Sequence, residues 1–264
     1  MHIVVCLKQV PNTTQVKINP ETNTLVRDGV ESIMNPFDEN ALEMALQLKE
    51  AHPGTRVTAV TMGPPQAADI LKEAVGRGAD DVLLLCDRAV AGSDTLATSY
   101  AISCAVRSLG TPDLVLFGKQ AIDGDTAQVG PGVADWLGIP CVACVRKCEI
   151  AEDGKTATVE RVSEDAYDVV QAPLPCALTV VKEANVPRMA SLRGKMAARK
   201  LAIEPTTAAA TGADPALLGL AASPTHVVRI FSPPAKSGGA KWEGLEPAEA
   251  AQKLVAELKN RKLV

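Results

Sequence analysis

Over roughly the first two thirds of the chain, short apolar runs alternate with amphipathic stretches. Ile3 to Leu7 is a β-branched run bounded by polar residues, the mark of a buried strand. Asn35-Pro36-Phe37-Asp38-Glu39 then reads as a helix start. Asn35 can cap it, Pro36 suits the first turn, and the two acids face the positive end of the helix dipole. Ala41, Leu42, Ala45, Leu46 and Leu48 give that helix its apolar face. The pattern predicts a second strand over Arg56–Met62 and a helix through Ile70, Leu71, Ala74 and Val75. A third strand follows at Val82–Cys86, then a helix over Ser93–Leu109 and a fourth strand at Leu114–Phe117. A further helix runs from about Gln128 to Leu137. Strand and helix in alternation, with strands apolar throughout, indicate an α/β fold. The expected form is an open, mostly parallel, Rossmann-like sheet with helices on both faces.

The period changes after Leu137. Val145–Ile150, Thr156–Val162 and Tyr167–Val170 read as a small antiparallel extension around an Asp153-Gly154 turn, and Ala177–Val181 can return to the main sheet. Past Lys182 the chain becomes polar and basic. Residues 205–225 are rich in Ala, Thr, Pro and Gly, a composition that suggests an extended or mobile linker. Pro233-Pro234 and Gly238-Gly239 prolong that loose stretch. Glu246–Leu258 reads as a short amphipathic helix with Ala250, Leu254, Val255 and Leu258 on one side. The divisions expected are an α/β domain at 1–182, a loop and following helix at 183–204, and a C-terminal arm at 205–264.

Composition narrows the function. The 264 residues are 47% hydrophobic and only 3% aromatic, with a formal net charge of -4. Scarce aromatics argue against a stacking groove for single strands, and the charge leaves no electrostatic footprint for nucleic acid. No run approaches the roughly eighteen apolar residues of a membrane span. The first residues lack the features of a signal peptide. Seven scattered cysteines fit reduced thiols, so a cytoplasmic location is expected.

The most informative segment runs from Gly118 to Gly132. It follows a strand and enters a helix, and in an open α/β sheet ligands sit outside the carboxyl ends of strands. Free N–H groups at a helix start attract phosphate. Gly124, Gly130 and Gly132 would allow close backbone approach, while Thr126 and Gln128 offer hydrogen bonds. An ordinary strand-to-helix turn accounts for such a loop equally well, and the chain holds neither GxGxxG nor a Walker A sequence. Ser93-Asp94-Thr95-Leu96-Ala97-Thr98-Ser99 puts a second polar cluster at a helix start. A cap explains Ser93 or Asp94, but not the whole cluster. Cys141, Cys144 and Cys148 invite a metal reading, yet no histidine is near enough to complete a zinc set. Packing as small hydrophobes accounts for them better. No nucleophile–histidine set stands out, so redox chemistry would have to come from a cofactor.

Taken in order, these segments resemble the electron-transfer flavoprotein beta subunit. The resemblance rests on Val5-Cys6-Leu7-Lys8-Gln9, Met34-Asn35-Pro36-Phe37-Asp38-Glu39, Met62-Gly63-Pro64, the Gly118–Gly132 loop and Asn185–Met196. It implies an electron carrier subunit rather than an enzyme on its own, paired with an alpha subunit that holds a redox-active FAD. In the common branch of the family the beta subunit buries AMP. In the electron-bifurcating branch a second FAD replaces it and takes hydride from NADH. By resemblance, the nucleotide would be held by Cys6, Asn35, Asp38 and Met62. Phosphates would lie on Asp123, Gly124, Asp125, Thr126, Ala127, Gln128, Val129, Gly130 and Pro131. The bifurcating pattern of that loop, and of Asp94, Thr95 and Thr98, favours FAD over AMP. Leu192 would dock an acyl-CoA or other flavin dehydrogenase, the basic residues around it, Arg188 among them, would steer an acidic partner, and ferredoxin is a further candidate partner. The terminal helix would pack on the alpha subunit. Two other readings remain open on the residues alone. One is a stand-alone adenine-nucleotide sensor. The other is an adenylyl-transferring enzyme using Lys119 and Asp123.

Overall fold

The computed structural model describes residues 1–12, 17–19, 24–26, 31–228 and 239–264. Its main sheet follows the alternation read from the sequence. The elements are β1 (His2–Cys6), α1 (Pro36–Ala51), β2 (Arg56–Met62), α2 (Ala68–Arg77), β3 (Asp81–Leu85), α3 (Thr95–Ser108), β4 (Leu114–Gly118) and α4 (Val129–Leu137). They continue with β5 (Cys141–Ile150), β6 (Thr156–Val162), β7 (Tyr167–Pro173), β8 (Cys176–Val180), α5 (Leu192–Lys200) and β9 (Pro205–Thr206). Two short hairpins, Gln9–Pro11 with Ser32–Met34 and Lys17–Asn19 with Thr24–Val26, lie between β1 and α1.

The nine strands run in the order β7-β6-β5-β8-β4-β1-β2-β3-β9. All neighbours are parallel except β5–β6 and β6–β7, which form the antiparallel extension. The strands are apolar throughout because each face is covered. Ile3 and Val5 point into one core under α1 and α2, whereas Val4 and Cys6 point into the other under α3 and α4. Leu114 and Leu116 alternate with Val115 and Phe117 in the same way. The chain winds from β1 through β2 to β3 on one side of β1, then crosses to β4 on the other. The strand order therefore switches between β1 and β4, where a crevice opens at the carboxyl ends of such a sheet.

Two expectations need correction. The strand expected from Val145 begins at Cys141, where it runs parallel to β8 before turning antiparallel to β6. An irregularity hides its first part. Cys144 takes a positive φ of 61° and donates its N–H to Thr179 Oγ1 at 3.1 Å. The second correction concerns 205–225, which is a packed strap rather than a loose linker. Pro205 and Thr206 pair with β3 at the sheet edge, and Ala208, Ala213 and Leu218 are buried in the core beneath α3. The small residues that suggested mobility are the ones that let the strap lie close.

One compact unit spans Met1–Val228 and a second spans Arg229–Val264. In the second, α6 (Pro247–Asn260) is the expected helix, with Leu254 and Val255 exposed and Lys253 over the Trp242 ring. Pro233, Pro234 and Gly238 lie outside the described residues. Among the described residues no helix is long and apolar enough to cross a membrane.

Candidate functional site

A cavity of about 270 Å³ lies at the switch point. Its floor is the carboxyl ends of the central strands, with Cys6, Met62 and Phe117. One wall is the start of α3, with Ser93, Asp94, Thr95 and Thr98. The other is the loop from Gly118 to the start of α4. Of the residues singled out in the sequence, the structure brings Cys6, Asn35, Asp38, Met62, Asp94, Thr95 and Thr98 together with Gly124, Asp125, Thr126, Ala127, Gln128, Val129 and Gly130. Asp123 and Pro131 do not line it. The Asp123 carboxylate pairs instead with Lys8 Nζ at 2.6 Å, whereas Lys119 lines the cavity.

The loop before α4 is built around backbone donors. Asp125 and Ala127 hold positive φ values of 56° and 54°, a conformation that non-glycine residues rarely adopt and that clusters at ligand sites. Gln128 follows with right-handed dihedrals and no side-chain cap. Among the described residues, no protein acceptor meets the N–H groups of Thr126, Ala127, Gln128, Val129 or Gly130. Consecutive N–H groups in mixed-handed backbone at an uncapped helix start form a concave anion site. A Cβ at Gly124 would meet nothing within 4 Å, so that side of the loop is open. Gly130, which lines the cavity, and Gly132, which does not, are both also needed for helix packing. A Cβ there would press on Thr179 and Ser99, at 2.7 and 2.9 Å.

The start of α3 is made differently. Asp94 caps it, its Oδ1 accepting from Leu96 N and Ala97 N at 3.0 Å each. Its Oδ2 accepts from Thr225 N at 3.0 Å, and its own N–H donates to Ser223 Oγ at 2.8 Å. Burial opposes ionisation of Asp94, but these donors outweigh it and hold the carboxyl below its usual range. This wall therefore offers hydroxyls rather than free N–H groups. Thr95 Oγ1 donates to Gln128 Oε1 at 2.8 Å and ties the two walls together.

Asn35 occupies the cap position of α1, yet its side chain caps nothing. It is spent on the site. Nδ2 donates to Gln120 O at 2.8 Å and to Asp38 Oδ1 at 2.9 Å, and Oδ1 accepts from Ile122 N at 3.2 Å. The loop after β4 thus hangs on a buried amide. Asp38 is 6% exposed and accepts the backbone N–H of Lys8 at 2.7 Å and of Gly118 at 3.1 Å. Burial pushes its carboxyl up to about 7 against these donors. Burial, with Asp38 beside it, also raises the Cys6 thiol, which stays protonated and unreactive.

The comparisons with known proteins agree with this architecture. Residues 22–211 match the family model described as the electron transfer flavoprotein domain. The chain is 49% identical to the electron transfer flavoprotein subunit beta of Megasphaera elsdenii, over 90% of each. The chain belongs to the electron transfer flavoprotein beta-subunit family. Further relatives are the caffeyl-CoA reductase-Etf complex subunit CarD of Acetobacterium woodii, 48% identical over the full length of both, and protein FixA of Azorhizobium caulinodans, 44% identical over 99% of this chain and 95% of that one.

In this beta-subunit family member Leu192 lies outside the cavity. It opens α5 and is 79% exposed, with Val186, Met189 and Met196 also exposed around it. Arg188 is not the free steering charge that the basic run suggested. Its guanidinium holds Glu43 at 2.8 and 2.9 Å and also reaches Glu50. Glu43 above all, with Glu50, raises its pKa further. Lys8, Gly118 and Gln120 were missed as site residues. Gly118 and Gln120 belong to the loop segment singled out in the sequence and Lys8 to the first motif of the resemblance, but no local pattern marked their individual roles. The seven cysteines are free thiols, and no group able to hold a metal occurs among the described residues.

Proposed function

We propose that this chain is the nucleotide-holding beta subunit of a heterodimer with an electron-transfer flavoprotein alpha subunit. In this reading the crevice holds FAD, NADH is the electron donor, and electrons pass through the FAD of the alpha subunit to or from a flavin dehydrogenase or ferredoxin. The observation that carries it is the row of N–H groups at Thr126–Gly130 without a protein acceptor among the described residues, framed by positive φ at Asp125 and Ala127, at the switch point of the sheet. The residues fit a dinucleotide in kind. The N–H row suits phosphate, and the Thr95 and Thr98 hydroxyls suit a second phosphate or sugar. Cys6, Met62 and Phe117 offer an apolar bed for a ring. A bound FAD supplies the redox chemistry. The chain's own residues bind its phosphates, orient it across the two walls and exclude water from the floor.

One observation favours a second reading, structural AMP in the same crevice. The cavity of about 270 Å³ is at the small end for cofactor sites, which start near roughly 300 Å³. A cavity of that size suits a mononucleotide better than a dinucleotide. Nucleotide extraction from the co-expressed heterodimer decides. Two FAD and no AMP are expected; one FAD and one AMP would leave the family reading intact and remove NADH-dependent bifurcation.

Partner docking belongs to the same reading. Leu192, presented by the start of α5 among Arg193, Lys195, Arg199 and Lys200, suits an apolar pocket rimmed by acids on a dehydrogenase. Leu192→Ala should weaken that complex by about 2 kcal/mol, as a hot spot does. Its melting temperature and flavin content should stay at wild-type values. Electron transfer measured against partner concentration checks this, and a superimposable curve removes Leu192 from the interface. The exposed Leu254 and Val255 of α6 fit a helix that docks on the alpha subunit.

A further inference from the structure

The resemblance treats Asp38 as a nucleotide contact, but its hydrogen bonds point elsewhere. Oδ2 accepts from Lys8 N, while Oδ1 accepts from Gly118 N and Asn35 Nδ2. Lys8 follows β1 and Gly118 ends β4, so one carboxylate spans the two strands between which the crevice opens. The fit is tight, because a Cβ on Gly118 would lie 2.3 Å from Asp38 Oδ1. Asn35 extends the same joint to Gln120 and Ile122, at the root of the phosphate-facing loop.

We propose that Asp38 is a positioning residue. Its carboxylate clasps the Lys8 and Gly118 N–H groups across the switch point and sets the width of the crevice, without itself touching the nucleotide. The inference rests on the reading that an adenine nucleotide occupies the crevice. All three groups facing the carboxylate are donors, so only the ionised form satisfies them. A proton on either oxygen, or an amide in place of the acid, would set donor against donor and free one strand end. The other ionisable groups at the joint do not substitute for it. The Cys6 thiol beside it is held protonated, and the Lys8 ammonium is engaged by Asp123.

The test uses the heterodimer with this crevice emptied of nucleotide and AMP as the probe, AMP being the part common to both candidate cofactors. Asp38→Asn should bind AMP about tenfold more weakly or worse, the cost of an orphaned buried donor. The same factor should be lost with 2′-deoxy-AMP and 3′-deoxy-AMP. A loss that disappears for either deoxy nucleotide means that Asp38 touches the sugar, and overturns the inference. Wild-type affinity should rise as pH increases through about 7, where Asp38 ionises, beyond any change shown by the variant. Titration of the nucleotide phosphate is common to both proteins and cancels. In the wild type alone, the Lys8 and Gly118 amide resonances should shift together with that midpoint. Independent or absent shifts overturn the inference even if the variant fails to fold. Failure of the wild type to bind AMP at all would instead defeat the nucleotide reading on which this rests.

Discussion

Gly118→Ala is expected to empty the crevice and to unsettle the domain together. Gly118 ends β4 where the start of α1 crosses it, and there is no room there for a methyl group. A Cβ would meet Asp38 Oδ1 at 2.3 Å, Phe37 Cβ at 2.6 Å and the Phe37 carbonyl carbon at 2.7 Å. Two of these atoms belong to well-seated parts of α1, so no flexible side chain can absorb the overlap. Either β4 or α1 must move, and both bear on the crevice. Overpacking of this kind costs about 3 kcal/mol at the upper end of its usual range. For a domain of this size that is a fall in melting temperature of roughly 8 °C. Nucleotide content should fall further than stability does, because the displaced atoms carry the N–H groups that Asp38 gathers. Gly124→Ala is the matched control. Its Cβ meets nothing within 4 Å, so the fold should melt as wild type does. A Gly118→Ala protein that keeps its melting temperature and its nucleotide would show that the crossing can relax at no cost.

Much of the site was legible because the same physics writes sequence and structure. Strands buried on both faces must be apolar throughout, and the helices between them must be amphipathic, so β1 to β4 and α1 to α4 lie close to their predicted bounds. The Gly118–Gly132 loop announced itself through small and polar residues between an apolar strand and an amphipathic helix. What stayed hidden were tasks assigned by tertiary contact. Asn35 has the local signature of a cap, yet its amide turns to Gln120 and Ile122, some 85 and 87 residues away. Gly130 and Gly132 look like ligand glycines but are also needed where α4 crosses β8 and α3. Alanine-rich 205–225 reads as a linker until one sees that a sheet edge and α3 offer it a surface. Lys8 stands in the first motif of the resemblance, but nothing local marked its role, since its backbone and its ammonium matter separately, one to Asp38 and the other to Asp123.

The basic run at 188–200 illustrates the same point with a larger consequence. Arg188→Met should destabilise the domain and also loosen the loop that carries Leu192. Glu43 is 5% exposed on α1 and takes three hydrogen bonds from Arg188, at 2.8, 2.9 and 3.0 Å, the last from its backbone. Asn185 and Asn40 reinforce the joint with reciprocal amide bonds at 3.0 Å. Removing the guanidinium leaves a buried carboxylate without its counter-charge, which costs about 3 kcal/mol. The loop that leads from Asn185 to Leu192 then loses its main tether to α1. Docking should therefore weaken although Leu192 is untouched, whereas Leu192→Ala weakens docking and spares stability. Adding Glu43→Met to Arg188→Met removes the stranded charge as well. The double variant should recover part of the lost stability, since a paired apolar replacement is often tolerated. It should not recover docking, because the tether is still absent. Melting curves and electron transfer across partner concentrations, taken on the same three proteins, separate the two effects. A double variant that regains docking along with stability would mean that the loop holds its shape without the ion pair, and that Arg188 serves the fold alone.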